Sequence, residues 1–182
     1  LGEYAEVARR LATAPGVSAV EVNLAVPDAA ELGVLDAREP FHVGAAVSTV
    51  LRELPRGVPV LAKLRPDPVR VAESVKVAAD AGAEAVVLGG ALPASLPDGR
   101  PAGLSGPAVS PLALRCVADA RAALDAAGAE CDVIACGGIG TAEDARTALR
   151  LGAVAVQVGS ALFHDPTTAA RLAAALDPDE GA

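Results

Sequence analysis

Three times in this sequence a helix-like run closes on a Gly-Ala pair that feeds directly into an apolar strand: Gly82-Ala83, Gly128-Ala129 and Gly152-Ala153. Glycine ends helices readily because it adopts the left-handed conformation at little steric cost. The chain therefore reads as a repeated unit of short apolar strand, polar loop, capped helix and glycine turn. The strands expected on this pattern are Ala19–Leu24, Val58–Leu64, Ala85–Leu88, Asp132–Cys136 and Ala153–Val158. Helix starts are marked by Asp67-Pro68, Ser110-Pro111 and Thr141, the last followed by Asp144 at capping-box spacing. Strands alternating with helices imply an α/β fold with parallel strands and right-handed crossovers. About five units fit, against the eight of a closed β/α barrel. A doubly wound open sheet is the alternative.

At 182 residues the chain is long enough for one domain with a sizeable core. It is 52% hydrophobic but only 2% aromatic, so Ala, Val and Leu must fill that core. A net charge of −8 and a shortage of aromatic stacking residues argue against nucleic acid as a partner. No apolar run approaches the length of a membrane span, and no signal-peptide pattern opens the chain. Cys116, Cys131 and Cys136 lack metal-ligand spacing, so no metal is expected and a reduced, cytoplasmic setting fits. The sequence holds no Met and opens on Leu1 before the amphipathic run EYAEVARRLATA, from which a missing beginning is expected. The longest irregular stretch is Ala25–Gly44, a loop length that is uncommon unless it has a task.

Two further glycine motifs point to a ligand. Gly137-Gly138, in CGGIGTAEDA, closes one strand, and Gly159-Ser160 closes the run AVAVQVGSA. Both end a strand where the next element begins and so present bare backbone N–H groups to one region. Such groups, with helix N-terminal dipoles, favour a phosphate.

Polar residues inside the strands carry the rest. Along Val20–Leu24, Glu21 and Asn23 share one face and the apolar residues the other, which turns Glu21 and Asn23 inward. Lys63 alternates with apolar neighbours in VPVLAKL, and an ammonium there needs an anionic or polar partner. An internal Lys63–Glu21 ion pair is one reading. Ligand contact is favoured over it, because Lys63 lies near the C-terminal end of its strand, where barrel sites form. Gln157 also alternates with valines and reads as a satisfied core amide, while Lys76 reads as solvated mid-helix. His42 and His164 read as surface or capping residues, and Cys136 as a small strand-end residue.

Together these motifs resemble the dihydroorotate dehydrogenase family, flavoprotein β/α barrels that oxidise dihydroorotate to orotate in pyrimidine synthesis. VEVNLAVPD resembles the family's fourth-strand motif, and VPVLAKLRPD its lysine strand. AGLSGPAVSPLALR is similar to the glycine-serine loop of the cytosolic class, and CGGIGTAEDA and AVQVGSALF to its two phosphate loops. The resemblance runs from Tyr4 to about Pro166. It implies a (β/α)8 TIM barrel of which this chain holds about the last five βα units, residues 1–182 forming a single FMN-binding domain. It further implies that Gly137, Gly138, Gly159 and Ser160 bind the FMN phosphate. Lys63 would stand at the pyrimidine edge of the flavin and Gly106 against the ring, while Asn23 would contact both flavin and substrate. A homodimer in the cytoplasm is implied, and for some relatives an electron-transfer subunit.

Departures from the family stand where the substrate should bind. Val26 occupies the position of the catalytic base, which is Cys or Ser in the family, and leaves no catalytic residue assigned. Asp28 replaces an asparagine, and Gly90-Ala91 an Asn-Thr pair that binds substrate. Three functions follow as expectations: an FMN-dependent oxidoreductase acting on dihydroorotate or on a diverged substrate; a flavin- or phosphate-binding protein without redox turnover; and a phosphosugar isomerase, aldolase or synthase on a similar barrel.

Overall fold

The computed structural model describes residues 1–25 and 40–177. Val26, Asp28 and most of the Ala25–Gly44 stretch lie outside the described residues. The order of elements is α1 (Gly2–Ala12), β1 (Val20–Asn23), α2 (Pro40–Glu53), β2 (Val60–Leu64), α3 (Val71–Asp80) and β3 (Ala85–Leu88). Next come β4 (Leu92–Ser95), β5 (Pro101–Leu104), α4 (Ser110–Ala127), β6 (Asp132–Cys136), α5 (Ala142–Arg150), β7 (Ala155–Gln157) and α6 (Thr168–Leu176). Short 3-10 turns at Pro107–Val109 and Ser160–Phe163 precede α4 and α6.

Five strands form one parallel sheet in the order β1-β2-β3-β6-β7. Each new strand pairs with the one before it and the order never reverses. A doubly wound sheet would reverse at a switch point, so the open-sheet alternative is ruled out and the winding is that of a β/α barrel. Val20 pairs with Val60, Ala62 with Val86, Leu88 with Ala135, and Cys136 with Gln157.

One face of this sheet packs on helices. Val20, Val22, Val60, Ala62, Leu64, Val86, Leu88, Val133 and Ala135 join a single core with Val43, Val47, Val75, Val117 and Leu124 of the helices. Almost every one of these side chains is a valine, leucine or alanine, as the near absence of aromatics requires. The other face is concave and mixed in character, with Glu21, Asn23, Lys63 and Gln157 on it.

Helix boundaries follow the punctuation in the sequence. Gly128 caps α4 in the left-handed conformation at φ 62°. Thr141 begins α5 with a capping box: its hydroxyl accepts from the Asp144 N–H while the Asp144 carboxylate accepts from the Thr141 N–H. Two elements differ from expectation. The sequence pattern marks no strand between Leu88 and Asp132, yet Leu92–Ser95 and Pro101–Leu104 pair as an antiparallel hairpin. Its prolines, which have no backbone N–H to donate, are tolerated because a two-stranded ribbon is all edge. His42, expected in a loop, lies in the first turn of α2, where its ring meets Phe41 edge-on.

Candidate functional site

Three glycine-bearing segments meet at the C-terminal end of the sheet. Gly137 and Gly138 follow β6 with φ values of 142° and 72°, and Gly106 precedes the turn into α4 with φ 83°. These backbones sit closer than side chains would permit. A Cβ on Gly138 would lie 2.7 Å from Ser110 Cβ and 3.0 Å from the Gly106 carbonyl oxygen. A Cβ on Gly106 would point at Ser160 Oγ, 3.6 Å away. Gly138 is required both for its backbone conformation and for the space it leaves, and Gly106 for its backbone conformation.

The result is a cavity of about 190 Å³ whose lining includes Lys63, Gly106, Gly137, Gly138, Gly159 and Ser160. Residues from the ends of β2, β6 and β7 and from the loop before α4 thus converge on one space. Gly90, Ala91, Ser105 and Cys136 complete much of its wall. Ser105 was not singled out from the sequence, and Cys136 was read there only as a small strand-end residue. The signal for Ser105 was its place directly before Gly106 in GLSGP; Cys136 directly precedes Gly137.

Asn23 stands apart from this cavity. It is in register with Lys63 on the neighbouring strand, but its Oδ1 accepts from the Ala25 N–H at 3.1 Å. The residue borders a larger space, about 670 Å³, running between α1 and the edge of β1. That space is walled by Leu1, Val7, Leu11, Val20 and Val22 together with Glu3, Tyr4 and Glu21, and no glycine loop opens onto it from the strand ends. Volume favours it, but chemistry favours the smaller cavity, where backbone donors and a lysine converge.

Lys63 has protein partners as well as a cavity to face. Its Nζ donates to Gln157 Oε1 at 2.7 Å and to Glu21 Oε1 at 3.2 Å. Gln157 Nε2 in turn donates to Glu21 Oε2 at 2.6 Å. The Lys63–Glu21 ion pair is therefore formed, and Lys63 lines the cavity as well, so the two readings of Lys63 coexist. Gln157 is satisfied, as expected, but by charged groups. Burial pushes the Cys136 thiol above its ordinary value, Lys63 draws it back down, and Glu21 adds to the rise.

The N-terminus of α5 is already supplied with an anion. Asp144 Oδ2 accepts from the N–H groups of Gly140 and Thr141 at 3.1 and 2.9 Å and from the Thr141 hydroxyl at 2.7 Å. Any external anion is left with the strand-end loops at Gly137-Gly138 and Gly159-Ser160. Gly159 is open: a Cβ built there meets nothing within 4 Å.

Other candidates fall away from the site. His164 is exposed after the Ser160–Phe163 turn, and Lys76 is exposed on α3. Cys116 and Cys131 are buried in the helix-side core, where burial raises both thiols to about 11. Among the described residues no helix is long and apolar enough to cross a membrane.

Known proteins resemble this chain in sequence and in fold. A family model for dihydroorotate dehydrogenase matches residues 1–178. The catalytic subunit of dihydroorotate dehydrogenase B (NAD(+)) from Geobacter sulfurreducens is 38% identical over 97% of this chain and 59% of its own length. The corresponding subunit from Desulforudis audaxviator is 40% identical over 96% of this chain and 58% of its own. The chain thus spans a little under three fifths of these relatives. In three dimensions it superposes on a crystal structure of DHODH from Eimeria tenella, solved in complex with ferulenol, with a TM-score of 0.78. That likeness covers 94% of this chain and 51% of the other at 20% identity, and it bears on the fold alone.

Proposed function

The chain belongs to the dihydroorotate dehydrogenase family, and from that premise we propose that it is the FMN-binding part of an oxidoreductase acting on dihydroorotate or a close analogue. The observation that carries this reading is the gathering of Lys63, Gly106, Gly137, Gly138, Gly159 and Ser160 around one cavity. Gly137, Gly138, Gly159 and Ser160 would hold the phosphate of FMN through backbone N–H groups and the Ser160 hydroxyl. The cradle fits such a group, because added Cβ atoms on Gly106 and Gly138 would occupy the space or displace its walls. Lys63 would meet the pyrimidine edge of the ring and Gly106 would lie against it, with Asn23 at the substrate side. When bound, the flavin supplies the hydride acceptor. The protein's part is to orient it, to place the Lys63 charge beside it and to keep water from the reacting face. Residues 1–182 then act as one FMN-binding unit of a cytoplasmic enzyme, in a homodimer. Relatives named as NAD(+)-type catalytic subunits make an electron-transfer partner subunit part of the same proposal.

The test is FMN titration into the intact protein, followed by absorbance and thermal melting. Bound flavin and a raised melting temperature are expected. A colourless protein whose melting temperature FMN leaves unchanged would falsify the proposal.

One observation favours a second reading, a flavin protein that does not turn over dihydroorotate. Gly90 has φ 125°, and a Cβ there would lie 2.9 Å from Ala25 Cβ. A substrate-facing side chain cannot be restored at that position without moving the backbone. Together with Val26 in the base position, this predicts flavin that dihydroorotate reduces slowly. Rapid bleaching of the flavin by dihydroorotate would exclude this second reading.

A further inference from the structure

Glu21 lies on the first strand of the sheet and Gln157 on the last, yet the two side chains meet over its concave face. Lys63 reaches both of them from β2. The resulting triangle has only one consistent polarity. An ammonium offers donors alone and a carboxylate acceptors alone, so the Gln157 amide must turn its oxygen to Lys63 and its nitrogen to Glu21. All three side chains are thereby fixed together, and Nζ is held from two directions at the inner wall of the cavity. An ion pair by itself would leave Lys63 free to swing about a single contact.

We propose that Glu21 and Gln157 are positioning residues, which set the place and the effective charge of the Lys63 ammonium and, through it, how readily the bound flavin accepts electrons. The inference rests on the flavin reading above. Charge next to the ring tunes a flavin, and Glu21 partly cancels the one lysine that faces the cavity wall. The side chains of Lys63 and Glu21 are only 18% and 30% exposed, so water screens the pair incompletely. Gln157 works in the opposite sense. By accepting at 2.7 Å it pulls Nζ away from a closer approach to Glu21 and so preserves the positive field toward the cavity.

Two substitutions in the intact, FMN-loaded protein test this, read as the midpoint potential of the bound flavin. Glu21→Gln keeps the shape and removes the negative charge. It should make the flavin easier to reduce by about tenfold in the reduction equilibrium, about 30 mV for a two-electron couple. Gln157→Met removes the acceptor at similar length, lets Lys63 collapse onto Glu21, and should shift the potential the other way. Opposite signs support the inference, because loss of packing alone would move both variants in the same direction. Unchanged potentials, or shifts of one sign, overturn it. Should Gln157→Met fail to fold, Glu21→Gln decides: a raised potential supports the inference and an unchanged or lowered one overturns it. A wild-type protein that takes up no FMN overturns the flavin reading itself, whereas FMN binding with unmoved potentials overturns this inference alone.

Discussion

Gly89 and Cys136 are packed backbone to backbone beneath the cavity: a Cβ built on Gly89 would fall 2.1 Å from the Cys136 carbonyl oxygen. No rotamer change relieves such a clash, since its partner is main chain. Gly89→Ala must therefore push β3 and β6 apart and should destabilise the fold by about 3 kcal/mol, the upper range for overpacking a tight core. Urea unfolding of the variant checks this; a loss below about 1 kcal/mol would mean the strands separate easily.

Two glycines of the phosphate cradle should respond differently to alanine. Gly138→Ala meets Ser110 Cβ at 2.7 Å in a left-handed backbone, so it should cost about 1–3 kcal/mol of stability as well as FMN binding. Gly159→Ala meets nothing within 4 Å and should melt close to wild type. Its added methyl nevertheless borders the cavity, so FMN affinity should fall at least tenfold. Paired melting curves and FMN titrations separate the two effects.

The Thr141–Asp144 capping box predicts an acid-sensitive helix start. Burial pulls the Asp144 carboxyl upward, but hydrogen bonds from the Thr141 hydroxyl and the Gly140 and Thr141 N–H groups outweigh it and hold the carboxyl below its ordinary value. A carboxyl depressed in the folded state stabilises fully above its unfolded pKa of about 4 and loses that contribution as pH falls through the lower folded value. Asp144→Ala should thus cost about 1 kcal/mol at pH 7. Denaturation at pH 7 and at pH 3 should show the gap to wild type narrowing in acid.

Lys63 and Glu21 should be energetically coupled. Removing one partner leaves the other poorly solvated in the concave face, so Lys63→Met and Glu21→Gln should each destabilise, while the double variant loses less than their sum. A coupling of about 1–2 kcal/mol is expected for a pair with this partial exposure. Additive losses would show that the pair contributes no net interaction.

Val26→Cys returns a proton acceptor to the loop after β1. General bases contribute on the order of 10²–10⁴-fold, so dihydroorotate-dependent reduction of the flavin should rise by at least the lower figure if the base is the principal loss. Stopped-flow flavin reduction measures it.

Alternation along single strands was readable from sequence because it is local. Glu21 and Asn23 against Val20 and Val22 gave the correct faces, and β3 and β6 have the bounds their apolar runs predict. The glycine loops were legible for the same reason, since each carries its own turn chemistry. What escaped depends on curvature. Gln157 was recognised as satisfied, but its partner Glu21 lies across the whole sheet, and no pattern within either strand encodes how far the sheet bends. Asn23 shows the converse: its face was right, yet its side-chain oxygen is taken up by the neighbouring Ala25 N–H, and the residue is absent from the lining of the glycine cavity. The hairpin was hidden by composition, because Pro93 and Pro101 are turn signals in most settings.

That hairpin has a consequence of its own. Its roots, Gly90-Ala91 and Ser105-Gly106, form part of the cavity wall, whereas its tip at Pro97-Asp98-Gly99 is exposed and held by local bonds, the Gly99 N–H donating to the Leu96 carbonyl at 2.9 Å and Arg100 to Asp98. Shape at one end is thus insulated from sequence at the other. The tip is a place where residues can be gained, lost or labelled without reshaping the ligand's surroundings, which makes it both a natural ground for drift and a practical handle for attaching a reporter.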